Sequence, residues 1–217
     1  MKKSASEKKS LLLQHDKAFL DQGFLSLAGV DEAGRGPLAG PVVASAVIVR
    51  DFSFLSPIDD SKKMTPLSRE KAYAEILEKS VVGIGVVDVL KIDEINIYRA
   101  TMLAMEEAVK QLKVTPDAVL IDGPKAPRTP FKQFPIVNGD AISFSIACAS
   151  VVAKVTRDRM MMHYDRVYPE YGFKNHKGYG TRKHLEALER YGPCKIHRKS
   201  FRPVSLAASR HGNSFNH

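Results

Sequence analysis

Four acidic residues stand at the ends of apolar runs that are typical of β-strands: Asp31, Glu32, Asp122 and Asp140. Because ligand sites in open α/β sheets gather at the carboxyl ends of the strands, we expect these carboxylates to lie close together. Oxygen ligands with no adjacent His or Cys suit hard cations such as Mg²⁺ or Mn²⁺. Without a cation such a cluster repels itself, which raises the pKa of one or more of the acids. The alternative is that each acid is an isolated cap or turn residue.

The turn that follows Asp31 and Glu32 is rich in glycine and reads Gly34-Arg35-Gly36-Pro37. Glycines let a backbone approach a ligand closely, so we expect this turn to lie beside a bound polyanion. The run superficially resembles a phosphate loop, but it lacks the Lys-Ser/Thr ending, which excludes nucleoside triphosphate binding. Successive strand residues point to opposite faces. Unless the strand bends, we expect Glu32 to contribute to a cation site from one side or through its carbonyl.

The order of apolar and polar residues predicts the elements that must hold these side chains. Strands are predicted over residues 27–31, 41–49, 81–89, 117–123 and 134–140, and helices over 68–79, 96–113, 142–166 and 183–191. Ser68 and Thr181 are the predicted caps of the first and last of these helices. The helix over 142–166 is expected to be buried in its first half and exposed from Lys154 onward. Strands alternate with helices, which predicts an α/β sheet flanked by helices and a helical C-terminal lobe.

The length and charge of the chain limit its organisation and its partners. The 217 residues suit one main domain over 27–204, preceded by an arm over 1–26 with one short helix and followed by a tail over 205–217. The formal net charge of +9 favours an anionic partner such as nucleic acid. A basic surface can also serve solubility alone. Nothing in the sequence demands a second subunit, so we expect a monomer.

The cysteines and the apolar runs indicate where the protein works. Cys148 and Cys194 have neither C-x-x-C spacing nor a framework of pairs, which favours a reducing compartment. No apolar run reaches the roughly 18 residues of a membrane span. The apolar Leu11-Leu12-Leu13 is too short for a signal peptide. We therefore expect a cytoplasmic protein with no membrane contact.

Three further polar residues have less specific settings. Ser150 is not part of a G-x-S-x-G elbow, and we interpret it as a small residue in a buried helix. His176 and His197 lie in basic segments. We expect these two histidines to contact phosphate or to lie exposed, rather than to bind zinc.

Ordered motifs along the chain resemble those of bacterial ribonuclease HII. In chain order they are Val30-Asp31-Glu32-Ala33-Gly34-Arg35-Gly36-Pro37, Asp60-Ser61-Lys62-Lys63, Ile121-Asp122-Gly123, Gly139-Asp140, Ala149-Ser150, Lys154, Arg157-Asp158, Tyr171-Gly172-Phe173, His176-Lys177-Gly178-Tyr179-Gly180-Thr181 and His197-Arg198-Lys199-Ser200-Phe201. The resemblance covers about residues 27 to 204. The related ribonuclease HIII has a different glycine turn and an extra N-terminal domain, so the Gly-Arg-Gly turn and the short chain favour ribonuclease HII.

The resemblance implies a ribonuclease H-like fold and a metal-dependent endoribonuclease. Such an enzyme cleaves the RNA strand of RNA–DNA hybrids and cuts on the 5′ side of ribonucleotides embedded in duplex DNA. It implies that Asp31, Glu32, Asp122 and Asp140 are the catalytic residues and bind two ions of Mg²⁺ or Mn²⁺. One ion would activate water and the other would stabilise the departing 3′-oxygen, which leaves a 3′-hydroxyl and a 5′-phosphate.

The resemblance also implies contacts that select the substrate. The backbone of Gly34, Arg35 and Gly36 would read the 2′-hydroxyl that distinguishes RNA from DNA, and Tyr179 would pack on the neighbouring deoxyribose. Taken alone, Tyr179 could equally be a tyrosine that supports a glycine turn. Phosphate contacts that supply affinity are expected from a set of basic side chains, although each lysine alone could be a solvated surface charge. The set is Arg35, Lys62, Lys63 and Lys177.

Two other functions compete with this interpretation. The first is a structure-specific DNA nuclease or a transposase-like relative, because such folds reuse an acid cluster for different phosphodiesters. Equal cleavage of all-DNA and ribonucleotide-containing duplexes would favour it. The second is a non-catalytic nucleic-acid-binding protein whose acids are structural. It predicts salt-sensitive binding without metal-dependent turnover.

Overall fold

The computed structural model describes residues 5–59 and 61–212, so Asp60 of the predicted Asp-Ser-Lys-Lys loop lies outside the described residues. The strands are β1 (Leu27–Ala33), β2 (Val42–Val49), β3 (Ser80–Val87), β4 (Ala118–Asp122) and β5 (Lys132–Ile136). The helices are α1 (Ala5–Leu20), α2 (Pro66–Lys79), α3 (Val89–Lys110), α4 (Phe144–Val167), α5 (Phe173–His176), α6 (Arg182–Tyr191) and α7 (Arg202–Arg210). Short 3₁₀ turns cover Gly139–Ala141 and Pro169–Tyr171.

The five strands form one mixed sheet in the order β3-β2-β1-β4-β5. β1 pairs antiparallel with β2, and β2 pairs antiparallel with β3, which confirms the hairpin-like connection after the glycine turn. β4 pairs parallel with β1, and β5 pairs parallel with β4. The predicted α/β sheet with flanking helices and a helical C-terminal part is confirmed. Because β1 and β4 run in the same direction, their carboxyl ends meet at one edge of the sheet.

Alternation along the strands divides the core into two layers. Val30 of β1 and Ile121 of β4 face α3 and belong to the core between that helix and the sheet. The other face of the sheet is covered by α2 and α4. Helix α4 lies against β1 so closely that a Cβ atom at Gly29 would stand 2.1 Å from the carbonyl carbon of Ser145. Only glycine permits this approach, and α4 is thereby held directly over the strand that carries Asp31.

The N-terminal helix packs against this scaffold. Leu12 is buried in the core beside α4, and the carboxylate of Asp16 accepts hydrogen bonds from the Ser145 N–H at 2.8 Å and from its hydroxyl at 2.7 Å. A carboxylate near the first turn of a helix satisfies free N–H groups there. The helix is 16 residues long rather than short. The division at residues 26 and 204 stays a prediction, and residue 204 lies inside α7.

Several predicted boundaries were wrong for local reasons. Helix α2 begins at Pro66 and is capped by Thr65, not Ser68, because the Thr65 hydroxyl accepts the Ser68 N–H at 3.2 Å. Helix α3 consists of two helical segments that Asn96, with φ of 68°, separates. The second segment begins where it was predicted, and the Asn96 side chain accepts the Arg99 N–H at 3.1 Å there. The first segment, from Val89, was not predicted.

The second half of α4 also differs from its prediction. Arg157 was expected on an exposed face, but only 1% of its surface is exposed. Its guanidinium donates to backbone carbonyls, so a charged side chain can be buried there without an acidic partner.

None of the helices in the described residues is long and apolar enough to cross a membrane. Cys148 and Cys194 are both free thiols.

Candidate active site

Asp31 and Asp122 are brought side by side by the parallel pairing of β1 and β4. Val30 stands opposite Ile121 in the register, so the next residue of each strand is an aspartate. Val30 and Ile121 both face α3, and alternation therefore directs Asp31 and Asp122 to the α4 side. Only 4% of the Asp31 surface is exposed. The predicted meeting of strand-end acids is thus present for these two residues.

Glu32 and Asp140 lie beside this pair. Glu32 leaves β1 on the side opposite to Asp31, and its carboxylate lies 3.3 Å from the Arg35 guanidinium. The prediction that Asp140 ends a strand was wrong, because β5 stops at Ile136 and Asp140 lies in a 3₁₀ turn. Asp122 nevertheless reaches this turn, since its Oδ1 accepts the Gly139 N–H at 2.6 Å.

Ser150 supports Asp31, a role that the sequence analysis missed. The Ser150 hydroxyl hydrogen-bonds to the Asp31 carboxylate, and its oxygen lies 2.9 Å from the Ser61 hydroxyl. If Ser150 donates to Asp31, the Ser61 hydroxyl must donate to Ser150. Asp31 also accepts the Glu32 N–H at 2.7 Å. These contacts fix the orientation of the Asp31 carboxylate from the α4 side. In the sequence, the only sign of this supporting role is that Ser150 lies among small residues in the helix that follows Asp140.

Burial and mutual repulsion act together on the acids. Burial raises the pKa of Asp31 well above its usual range, and the neighbouring charges of Glu32 and Asp122 raise it further. Burial also raises the pKa of Glu32, while Arg35 opposes that shift. The charged forms of Asp31 and Glu32 are therefore disfavoured at the carboxyl end of β1 unless a positive group is nearby.

The donor set fits a divalent cation. All the donors are oxygens, and the pKa of Asp31 is raised first by burial and then by the neighbouring charges of Glu32 and Asp122, which a bound cation would offset. Within residues 5–59 and 61–212, no three Asp, Glu, His or Cys side chains already form a cluster that could chelate a metal ion. Asp31, Asp122 and the flanking Glu32 are the described residues best placed to hold one, with Asp140 in the adjoining turn.

A cavity of about 810 Å³ opens at this edge of the sheet. Glu32 lines one side of it, the turn Gly34-Arg35-Gly36 forms a wall, and Tyr179 faces that turn. A Cβ atom at Gly36 would lie 3.5 Å from the Tyr179 ring, and 44% of the Tyr179 surface is exposed. The remaining lining residues are Ala33, Ser61, Lys62, Arg69, Ile97 and Lys154. Of the four acids only Glu32 therefore shares this opening with the glycine turn, and Asp31 directly precedes Glu32 in β1.

The predicted basic contacts are distributed unequally. Arg35 and Lys62 line the main cavity. Lys177 lines a neighbouring cavity of about 310 Å³, which shares Arg69 and Lys154 with the first. Lys63 is exposed and lines neither of these two cavities. The basic groups thus continue away from the acids along one surface.

A chain of hydrogen bonds lies behind Tyr179. The Cys194 N–H donates to His197 Nδ1 at 3.0 Å, so His197 carries its proton on Nε2 and donates to His184 Nε2 at 3.0 Å. His184 in turn donates from Nδ1 to the Tyr179 carbonyl at 2.9 Å. Burial lowers the pKa of His184 to about 4 and that of His197 to about 3. The prediction that His197 is exposed or contacts phosphate was wrong, because its neutral ring is buried in this chain.

Comparisons with known proteins agree with the geometry. The family model "Ribonuclease HII" matches residues 28–204. Ribonuclease HII of Caldicellulosiruptor bescii is 51% identical over 187 residues, which cover 86% of this chain and 91% of that protein. Ribonuclease HII of Clostridioides difficile is 53% identical over 182 residues, covering 83% and 71%. The crystal structure of ribonuclease H2 from Pyrococcus horikoshii superposes with a TM-score of 0.72 at 25% identity, covering 85% of this chain and 98% of that one.

These matches extend over both strands that carry the acids, over the glycine turn and over the segment that carries Tyr179. The chain belongs to the ribonuclease HII family, whose members are metal-dependent endoribonucleases that act on RNA–DNA hybrids and on ribonucleotides embedded in DNA.

Proposed function

We propose that Asp31, Glu32, Asp122 and Asp140 carry out the cleavage with Mg²⁺ or Mn²⁺, at the cavity that the glycine turn and Tyr179 also line. The observation that carries this proposal is the adjacency of Asp31 and Asp122 at the ends of parallel strands beside that cavity. The all-oxygen donor set suits both ions. When bound, two such cations supply a nucleophilic water and neutralise the departing 3′-oxygen.

The protein's own residues orient the acids before substrate arrives. Ser150 and the Glu32 N–H fix the Asp31 carboxylate, and the Gly139 N–H fixes Asp122. Fixed carboxylates lose little orientational freedom when they take part in a reaction, which lowers the barrier. Arg35 pairs with Glu32 at 3.3 Å, which holds the Glu32 carboxylate in the wall of the cavity, where it could take part in binding a cation.

The opposite wall of the cavity selects the sugar. The backbone of Gly34, Arg35 and Gly36 presents peptide groups rather than side chains at close range, and peptide groups can hydrogen-bond to a 2′-hydroxyl. The exposed ring of Tyr179 offers an apolar face for the neighbouring deoxyribose. Lys62, Lys63 and Lys177 would contact phosphates and supply salt-dependent affinity.

The same reasoning extends to the assembly and the compartment. We infer a monomer, because Glu32, the glycine turn and Tyr179 of a single chain already line one cavity. We infer a cytoplasmic location, because both free cysteines suit a reducing compartment.

The experiment that tests the proposal uses a labelled DNA duplex with one ribonucleotide, beside an all-DNA duplex. Each is incubated with the protein, with and without Mg²⁺ or Mn²⁺. We expect one metal-dependent cut on the 5′ side of the ribonucleotide and none in the control. Cleavage only of a long hybrid would contradict the junction role of Tyr179. Equal cleavage of both duplexes would indicate a DNA nuclease, and salt-sensitive binding without cleavage would indicate a binding protein.

A further inference from the structure

Two buried arginines lie behind the glycine turn, on the side away from the cavity. Arg157 of α4 is 1% exposed, and Arg198, which precedes α7, is fully buried. Neither forms an ion pair with an acidic residue in the part of the chain that the structure describes. A buried guanidinium is costly unless its donors are satisfied, so its partners must be found among neutral groups.

Arg198 binds both ends of the turn. Its Nη2 donates to the Gly34 carbonyl at 2.5 Å, and its Nη1 donates to the Arg35 carbonyl at 2.9 Å. Its Nε and Nη2 donate to the Gly40 carbonyl at 3.0 and 2.8 Å. The planar fork of one guanidinium therefore holds three carbonyls that are up to six positions apart in the chain.

Arg157 links the next segment to the Tyr179 side of the cavity. Its Nη2 and Nε donate to the carbonyls of Ala39 and Pro41, each at 3.0 Å. Its Nη1 donates to the Lys177 carbonyl at 2.9 Å. Lys177 lies two residues before Tyr179. The two guanidiniums together therefore set the distance between the glycine turn and the tyrosine.

These contacts also determine which way the peptide groups of the turn point. In a trans peptide the N–H points opposite to the C=O. Because the carbonyls of Gly34 and Arg35 face Arg198, the N–H groups of Arg35 and Gly36 face away from it, and both residues line the cavity. Neither N–H has a hydrogen-bond partner within the described chain. Two free donors are thus presented to whatever occupies the cavity.

The arginines also place positive charge behind these donors. Burial lowers the pKa of Arg157 to about 10. Burial and then repulsion by Arg157 lower the pKa of Arg198 to about 9. Both guanidiniums therefore remain charged at neutral pH. A charge in a low-dielectric interior acts over a longer range than a charge at the surface, so an anion at the turn is attracted from behind.

We propose that Arg157 and Arg198 are positioning residues, which hold the peptide N–H groups of the turn toward the substrate and fix Tyr179 opposite them. This proposal rests on the proposed function, since it assigns the cavity to a nucleic-acid backbone. Neither arginine touches the substrate. A lysine could keep the charge at either position, but a single ammonium cannot hold three carbonyls in one plane.

The test is Arg198→Lys, measured with the duplex that carries one ribonucleotide. We expect KM for the duplex to rise about tenfold, because the two N–H contacts are no longer held in place. The cation concentration that gives half-maximal activity should stay within roughly twofold of wild type, since no acid is altered. The matched control is Arg159→Lys on the exposed side of α4, where Arg159 pairs with Glu70 at 2.6 Å, and it should leave both values unchanged.

A purely structural role gives a different result. If Arg198 only stabilised the fold, the variant would contain fewer folded molecules, so kcat would fall at unchanged KM. That outcome, or an unaltered KM in both Arg198→Lys and Arg157→Lys, would overturn the proposal. Failure of wild-type protein to cut the duplex would instead remove the proposed function.

A second measurement does not depend on the folding of the arginine variants. In the inactive Asp122→Asn variant, amide hydrogen exchange is followed with and without the duplex. We expect the Arg35 and Gly36 amides to become protected on binding, while the Arg198 amide, which donates to the Leu38 carbonyl, is protected in both states. Unchanged exchange at Arg35 and Gly36 would contradict the outward orientation of these donors.

Discussion

The two sides of the cavity use charge in opposite ways. At the carboxyl ends of β1 and β4, Asp31, Glu32 and Asp122 lie close together, and burial and then the charges of its two neighbours raise the pKa of Asp31. Behind the glycine turn, Arg157 and Arg198 hold positive charge, and all three nitrogens of each guanidinium donate to neutral backbone carbonyls. We therefore expect the acid side to depend on cations from solution, whereas the arginine side already has its hydrogen-bond partners within the chain. Substitutions on the acid side should change metal dependence, and substitutions on the arginine side should change substrate affinity.

The largest effect is expected from Asp122→Asn. The amide oxygen can still accept the Gly139 N–H, so folding should be intact, but the loss of charge should lower kcat by about three orders of magnitude or more. Cleavage of the ribonucleotide-containing duplex is the measurement. Asp117→Asn is the control. Asp117 directly precedes the first residue of β4, and its carboxylate accepts the Ser26 N–H at 2.9 Å. Near-normal activity in Asp122→Asn would contradict the assignment of the acids.

Ser150→Ala should have the next largest effect. The change removes the hydroxyl that orients Asp31, and loss of such a supporting hydrogen bond commonly lowers metal affinity or activity by about 10- to 100-fold. We expect more Mn²⁺ to be needed for half-maximal cleavage, with KM for the duplex unchanged. Thr156→Val is the control on the same helix, since the buried Thr156 hydroxyl has no hydrogen-bond partner among the described residues. If KM for the duplex rose while the Mn²⁺ requirement stayed the same, Ser150 would support substrate binding rather than the acids.

Two neighbouring glycines sharpen the contrast within the turn. Gly34 has φ of 99°, and a Cβ atom there would stand 2.1 Å from Arg157 Nε, so Gly34→Ala should destabilise the fold by about 1–3 kcal/mol. At Gly36 the Cβ atom would meet only the Tyr179 ring at 3.5 Å. Gly36→Ala should therefore keep its stability within about 0.5 kcal/mol while raising KM, because the methyl group enters the cavity. The measurements are thermal unfolding and KM for the duplex, made on both variants. Equal stabilities of Gly34→Ala and Gly36→Ala would contradict the expected difference.

The smallest effect concerns pH. The pKa values of His184 and His197, lowered to about 4 and about 3, lie below the value near 6.5 expected in the unfolded chain. Unfolding therefore takes up protons below pH 6.5, and the contribution of these rings to stability is lost as pH falls toward 4 and then 3. The raised pKa of Asp31 acts in the opposite direction, so ring NMR signals are the clearer measurement. We expect both rings to stay neutral at pH 5. A protonated ring at that pH would contradict the buried chain.

The sequence predicted the acids at the strand ends and the glycine turn better than the buried residues that support them. Asp31, Asp122 and the glycine turn could be identified, because strand ends and glycines leave local patterns. Arg157 could not, since a helical residue near Lys154 and Asp158 has the pattern of an exposed face. Its burial depends on carbonyls that are 116 and 118 residues away in the chain. Asp140 was placed on a strand because the apolar run before it does not reveal where pairing with β4 stops.

Helix α1 lies outside the residues that match the family model, yet Asp16 binds the first turn of α4. Helix α4 carries both Ser150 and Arg157, one for each side of the cavity. A chain shortened to begin at residue 27 would keep every acid and every basic contact named above. It would also leave the Ser145 amide and hydroxyl without the carboxylate that they now bind. The proposed catalytic acids therefore all lie within residues 27–204, but the helix that supports them is in turn supported by Asp16, which lies before that segment.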